Sequence, residues 1–471
     1  MSTTVANSPA YADVNAAVGA ANPGDTIVIP PGTATWGSTL TINKSLTLQG
    51  NGTSTKIVRQ TGFNGDLINI TGLPGDVPVR VTGIFFDNVV MQPSNITSDI
   101  DITNAGNAAP LWSQIRIDHC SFNGGQYVIN WQGRAYGVND HNTFTNCWVG
   151  VHIFGGNGDF GDIAWGRNDY QAGGSHFVFT EDCTFTLNNA FGAAPGSPWV
   201  TYHEYGGRSV LRHCTIDSSA FSASMEGPVD AHGNQSYWAN ISNDYRGTIR
   251  FEFYNNLIHV NNSFRLIDAR GGSFLIHDNT YICDGSSPHI IDFRDEEDDS
   301  TSVPFSTNVR SPVHWPCEDQ VTGSFIYNNT YKGRAQQDTD IGVGTFGNSN
   351  ASTGDPFYIQ KNRDFWTQAP AAGTTTVYPA PTGQSNASYP APFANLQLTS
   401  YTPYVYPHPL IPVTPPNPPG GGGGINPPFT PIKFPASPPA PAPVFEDGPG
   451  LYPPRYNGQT QTSQINQTFR P

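Results

Sequence analysis

The sequence predicts an all-β protein, a parallel β-helix (solenoid) with a short N-terminal capping helix and an extended Pro/Gly-rich C-terminal tail. Three observations predict it. First, one short phrase recurs: Val210-Leu-Arg-His-Cys-Thr-Ile216, Phe251-Glu-Phe-Tyr-Asn-Asn-Leu-Ile258 and Phe274-Leu-Ile-His-Asp-Asn-Thr-Tyr281 each read as an alternating apolar strand, a Cys or Asn, and a second apolar strand. Second, the same phrase returns at 84–88, 115–122, 138–144, 177–185 and 325–331, with pivots at Asn88, Cys120, Asn142, Cys183, Cys214, Asn256, Asn279 and Asn329. The shortest step, 22 residues from Cys120 to Asn142, suits one turn of a stacked coil, and longer steps carry loops. Third, 50 Gly and 41 Pro with only 13% charged residues exclude a helical bundle. A sandwich or propeller is the competing architecture, but it needs regular antiparallel hairpins with Asn-Gly turns, and few are present. Asn suits the pivot because it tolerates a left-handed backbone and bonds locally; Cys suits it because it is small and buries well.

The elements follow in order. Residues 1–52 form the N-terminal cap and first coils: a helix starting from an Asp13 cap, then tight strands in Pro23-Gly-Asp-Thr-Ile-Val-Ile-Pro-Pro-Gly32 and Leu40-Thr-Ile-Asn-Lys-Ser-Leu-Thr-Leu-Gln-Gly50. Such a helix shields end strands that would otherwise template aggregation. Residues 53–410 form the solenoid with loop insertions rich in Gly, Trp and Tyr. Residues 411–424 are a Pro/Gly linker, and 425–471 are an extended Pro-rich tail without the composition for a core of its own.

The helix, the Gly-Asp-Thr-Ile-Val-Ile-Pro-Pro-Gly phrase and the Leu-Thr-Leu-Gln-Gly phrase resemble the start of pectate-lyase-like right-handed parallel β-helix proteins, of the kind encoded by bacteriophages and environmental bacteria. The resemblance continues through Ile115-Arg-Ile-Asp-His-Cys120, Asp230-Ala-His-Gly233, Arg246-Gly247, Glu252-Phe-Tyr-Asn-Asn256 and Asp268-Ala-Arg-Gly-Gly272 to Tyr406-Pro-His-Pro-Leu410. It implies the fold and the hand of the coil. It does not choose an activity, because this fold hosts lyases, hydrolases, tailspikes and inert appendages alike.

A net charge of −15 argues against nucleic acid and against simple electrostatic capture of an anionic polymer. No apolar run is long enough for a membrane span, and 1–7 show neither a basic segment nor an apolar core of an export signal. The six Cys lack CxxC spacing, and Cys120, Cys147, Cys183 and Cys214 fall in or beside the repeated phrase, which points to buried thiols.

Stacking brings equivalent positions of successive coils to about 4.8 Å from one another, so ionisable residues at equivalent positions become a row. The first candidate row is Asp230, His232, Arg246, Glu252, Arg265, Asp268 and Arg270. Uronate elimination there would use His232 or an arginine as base and Arg246 or Arg270 as carboxylate clamp; hydrolysis would use Glu252 and Asp268. The structural alternative is that these charges pair and lock the coils. Trp165, Tyr170, Trp199, Tyr202 and Tyr205 are the candidate sugar-stacking residues, though interfaces use the same residue types. No cofactor is expected. Calcium enters only through Asp118, which resembles the Trp-Ile-Asp-His phrase of calcium-dependent pectate lyases; the downstream carboxylates and the Arg-x-Pro-x-x-Arg run are missing, so Asp118 and His119 read as a turn and coil edge. The acidic run 295–299 reads as a solvated loop, and His203-Glu204 and the pair His289, Asp292 as structural.

Three functions fit. The first is a virion-associated spike, fibre or capsid decoration touching glycans, anchored to virion proteins through 425–471, made in the host cytoplasm and trimeric like other solenoid spikes. The second is a polysaccharide lyase or hydrolase acting on an acidic glycan. The third is an extracellular or bacterial surface protein.

Overall fold

The computed structural model describes residues 1–88, 97–104, 110–155, 171–187, 199–204, 206–220, 228–233, 248–261, 265–285, 289–294, 321–344, 356, 359–372, 374 and 398–412. Within them the chain winds in stacked coils, each laying one strand on each of three faces. The first face carries Trp112–Asp118, Ala135–Asp140, Val178–Glu181, Arg208–Arg212, Arg250–Tyr254, Ser273–His277 and Ser324–Tyr327. The second carries Ser121–Gly124, Thr143–Thr145, Thr184–Thr186, Thr215–Ser218, Leu257–Val260 and Thr280–Cys283. The third carries Ser98–Asn104, Tyr127–Gly133, Val149–Phe154, Trp199–Glu204, Val229–Ala231, Arg265–Ala269 and His289–Phe293. Every strand pairs in parallel with its counterpart in the next coil. Among the described residues one pair is antiparallel, Thr330–Tyr331 with Arg334–Ala335.

The bend from first to second face lies where the repeated phrase has its pivot, one residue earlier than the sequence suggests. His119, His141, Asp182, His213, Asn255, Asp278 and Asn328 hold the left-handed conformation, with φ between 52° and 57°. The Cys or Asn that follows turns inward: Cys120, Asn142, Cys183, Cys214, Asn256, Asn279 and Asn329 are all buried. Their role is therefore bonding rather than backbone freedom. Asn279 Nδ2 donates to Phe253 O on the preceding coil and to Asn329 Oδ1 on the next, while Asn279 Oδ1 accepts from Asn256 N and Nδ2. Asn88 is not a pivot. It ends the second-face part of Val79–Asn88, opposite Gly124, and Gly83, with φ 65°, makes that coil's bend. Behind the pivots Phe86, Phe122, Phe144 and Phe185 stack coil on coil, with centroids 5.2, 5.0 and 4.4 Å apart. Alternation thus sends one side chain in two to a continuous apolar interior.

The N-terminal helix, Tyr11–Ala20, packs against the first strands and buries Val14 and Val18. It begins before Asp13: Ala10 is its N-cap, and Asp13 sits in the first turn, where its carboxylate takes the Ser8 hydroxyl and complements the helix dipole. At the other end of the described chain, 398–412 lies against the outside of the first face. Ile411, Tyr404 and Leu410 join a cluster with Val138, Phe177, Phe179, Val210 and Tyr254, and Leu398 and Tyr401 join one with Leu275, Phe325, Tyr327 and Trp366. Arg212, fully buried, ties this strap down: it pairs with Glu181, donates to Tyr254 Oη at 2.7 Å, and reaches the carbonyls of Tyr404 and Val405 at 2.5 and 2.7 Å. Of the expected linker 411–424, Ile411 packs against the first face, while its residues 413–424 and the tail 425–471 lie outside the described residues.

Candidate functional site

On the third face alternate side chains point away from the interior of the coil, although most of them are themselves buried. One outward column runs in register through Asn69, Asp101, Asn130, His152, Tyr202, Asp230, Asp268 and Asp292. Two residues along each strand, Thr103, Gln132, Phe154 and Glu204 form its neighbour. The inward partners Ile102, Ile129, Val151, Val229, Ile267 and Ile291 are core, which fixes the orientation of the outer row.

Two segments with different chemistry share this column. In the first, rings follow one another. Tyr127 lies 4.6 Å from His152, His152 5.4 Å from Tyr202, and Tyr202 4.6 Å from His232, centroid to centroid. Trp199 flanks Tyr202 at 5.3 Å and Trp148 flanks Trp199 at 5.8 Å. Two histidine–carboxylate pairs hold this ladder: His152 Nε2 with Glu204 Oε2 at 3.1 Å, and His232 Nε2 with Asp230 Oδ2 at 3.1 Å. The Tyr202 hydroxyl donates to Glu204 Oε1 at 3.2 Å, and His152 Nδ1 meets Asn130 Oδ1 at 2.7 Å. Burial alone would raise the Glu204 carboxyl, but the His152 bond and charge carry it below its ordinary value. Burial and then the Glu204 charge push the Tyr202 phenol well up, so it stays a donor.

The second segment is ionic. Asp268 takes Arg265 at 2.5 Å, Arg270 at 3.0 Å and Arg294 at 2.8 Å, while Arg270 also reaches Asp230 Oδ2 at 2.8 Å. Burial would lift the Asp268 carboxyl; Arg294, Arg265 and Arg270 instead hold it far below the carboxylate range. Asp230 and Asp268 on consecutive coils would repel at coil spacing, and Arg270, bonded to both, offsets that cost.

Of the residues singled out in the sequence, Asp230, His232, Asp268, Arg270 and Arg265 come together here, and Trp199 and Tyr202 lie directly beside them. Glu252 does not join them. It projects from the first face, fully buried, where its carboxylate accepts from Tyr401 Oη at 2.6 Å and Gly173 N at 2.7 Å and so serves the strap. One row in the sequence is thus two faces in space. Arg246, Trp165, Tyr170, Tyr205 and the acidic run 295–299 lie outside the described residues. Sequence reading did not single out Tyr127 and His152, and it read Glu204, with His203, as structural. Its signal for Glu204 was present: in Trp199–Glu204, strand alternation puts Tyr202 and Glu204 on one side and His203 on the other. His203 indeed points inward to Ser209 Oγ at 2.8 Å, and burial lowers its pKa to about 3.

Asp118, His119 and Asp140 offer ligand atoms within 4.8 Å of one another at the edge of the first face. They do not suit calcium. Both Asp118 oxygens take Arg80, at 2.7 and 2.6 Å, and both Asp140 oxygens take Arg116, at 2.8 Å each. A dication there would sit against two guanidinia and find far fewer than six free oxygens.

No protein-family model matches the chain, and no curated protein matches it in sequence. Among solved structures the chain is similar to an alginate lyase from Paenibacillus sp. str. FPU-7, at 12% identity and a TM-score of 0.42, over 72% of this chain and 99% of that one. It is also similar to a PL6 family polysaccharide lyase from Pseudopedobacter saltans, at 12% identity and 0.36, over 86% and 97%. A third similarity is to ORF18 of Geobacillus virus E2, at 11% identity and 0.29, over 61% and 59%.

Proposed function

We propose that this chain is a right-handed β-helical glycan-contacting protein that grips a polysaccharide along the outer third face. The observation that carries this reading is the ring ladder Tyr127–His152–Tyr202–His232, flanked by Trp148 and Trp199 and edged by carboxylates. Sugar rings present apolar C–H faces to aromatic rings and hydroxyls to the acceptors beside them, and a solenoid repeats both at a spacing a polymer can follow. Binding of the full chain to a glycan panel, with loss on Tyr202→Ala, tests it; equal binding by that variant refutes it. The lyase alternative has its own readout, an unsaturated product absorbing in the ultraviolet, abolished by His232→Ala.

In the same reading the protein is a virion-associated appendage, trimeric, with 425–471 anchoring it to virion proteins. The strap is compatible with that arrangement, because Ile411 is seated on the first face, a different face from the one carrying the rings. Purified particles should contain the chain at fixed stoichiometry. Its absence from them would leave the surface-protein reading.

A further inference from the structure

We infer that His119 and His141 form a site for a late first-row transition dication such as Zn2+, taken by their two Nε2 atoms at the bend between the first and second faces. Asp118 and Asp140 are in register on consecutive coils, and the histidine after each makes the left-handed turn, at φ 52° and 54°. His119 Nδ1 meets Asp118 Oδ2 at 2.7 Å, and His141 Nδ1 meets Asp140 Oδ2 at 2.9 Å. Both carboxylates are fully buried, and each is held in turn by a guanidinium, Arg80 on Asp118 and Arg116 on Asp140. An imidazole whose Nδ1–H is bonded to a carboxylate carries its lone pair on Nε2 and is the more basic ligand for that bond. Arginine, aspartate and histidine thus repeat as a relay on two neighbouring coils. The histidine side chains are 55% and 45% exposed, and among the described residues nothing is bonded to either Nε2. The bend itself does not require an imidazole, because Asp182, Asn255, Asp278 and Asn328 hold the same backbone at the equivalent place on later coils.

The spacing is close to what one ion needs. The two rings lie 2° from parallel with centroids 5.0 Å apart, and both are tethered through Nδ1, so their Nε2 atoms are separated by about the coil spacing. At a metal–nitrogen distance of about 2.1 Å, two nitrogens on one ion lie at most about 4.2 Å apart, so the exposed Nε2 ends close by about 1 Å, with the Nδ1–carboxylate bonds as hinges. Donor type selects the ion. Imidazole suits zinc, copper and nickel, whereas calcium and magnesium take oxygen, and the carboxylates beneath the rings are committed to arginine. The guanidinia that disfavour a cation between the carboxylates also neutralise them, and the Nε2 atoms lie on the far side of the rings from both. Two protein nitrogens leave the remaining positions of the ion to water.

The experiment is calorimetric titration of the full chain with Zn2+ at pH 8. The expected result is a micromolar site that excess Ca2+ or Mg2+ does not displace. His119→Asn and His141→Asn keep the turn, since asparagine already makes it at 255 and 328, and each should weaken that site at least tenfold. His259→Ala removes a second-face histidine whose nitrogens already face Asp217 and Asp284, and should leave the site unchanged. In the unmutated chain Zn2+ should also protect both rings from diethylpyrocarbonate, mapped by mass spectrometry, which reads the site without a variant that has to fold. No binding up to millimolar Zn2+, displacement by Ca2+ or Mg2+, or binding that a folded asparagine variant retains within twofold overturns the inference. So does either ring being modified as fast with Zn2+ as without it.

Discussion

Replacing Arg212 by Met tests the strap most directly. The side chain is fully buried, and its guanidinium holds Glu181, the Tyr254 hydroxyl and two strap carbonyls. Met fills much of the volume but supplies no donors. Removing one partner of a buried ion pair costs about 3–5 kcal/mol, chiefly because the other charge stays buried. The strap can answer by lifting off, which rehydrates Glu181 and both carbonyls, so the loss falls on local opening of 398–412 before global unfolding. At about 4 kcal/mol, and a factor of ten per 1.4 kcal/mol, amide exchange in the strap should accelerate by roughly three powers of ten. The reporters are His408 N–H, which donates to Glu181 at 3.0 Å, and Ile411 N–H, bonded to His408 O at 2.8 Å. Burial already raises the Glu181 carboxyl against the pull of Arg212. Without the arginine it rises further, so the defect should shrink as pH falls and Glu181 takes a proton. Glu181→Leu added to Arg212→Met should recover part of the protection. Hydrogen-exchange mass spectrometry on the wild type and both variants reads all of this. Strap exchange within tenfold of wild type in Arg212→Met would refute the clasp.

Three further outcomes follow from the same physics. Asn256→Ala strands the Cys214 amide and the Leu211 carbonyl, bonded to it at 2.9 Å each, and should cost about 2–4 kcal/mol in chemical denaturation. Asp99 is buried, which raises its pKa to about 6 against the pull of Arg59 and Asn88. A carboxyl raised in the fold contributes stability below its unfolded value, lost as pH climbs through about 6, at about 1.4 kcal/mol per unit. Asp99→Asn should therefore gain on wild type between pH 4 and 7 in urea midpoints, and a constant difference would count against the assignment. Deleting 413–471 should leave the melting temperature unchanged, whereas deleting 398–471 should lower it by exposing Phe179, Val210 and Leu275. Equal melting of both truncations would show that the strap adds nothing.

Local pattern was enough to determine the coil. Alternating apolar residues, a Cys or Asn at a fixed place and glycine-rich bends are short-range signals, and a repeat carries each several times, so strand identity, parallel stacking and the inward columns were legible from residues 84–331. The same short range explains the errors at the bends. A Cys or Asn beside a His, Asp or Asn leaves open which of the two takes the left-handed turn, and only the stacked amide bonds of Asn256, Asn279 and Asn329 decide it. Tertiary structure alone separated Glu252 from Asp230 and Asp268. All three sit on strands of neighbouring coils, but a coil has three faces, and the loops between them remove any fixed relation between position in the chain and face. It also placed 398–412 on the first face, a contact spanning some two hundred residues between Arg212 and Val405 that no periodicity encodes. Chain order fixes neighbours along a strand; which rings and charges meet across coils depends on register, and register is set by the packing of the whole interior.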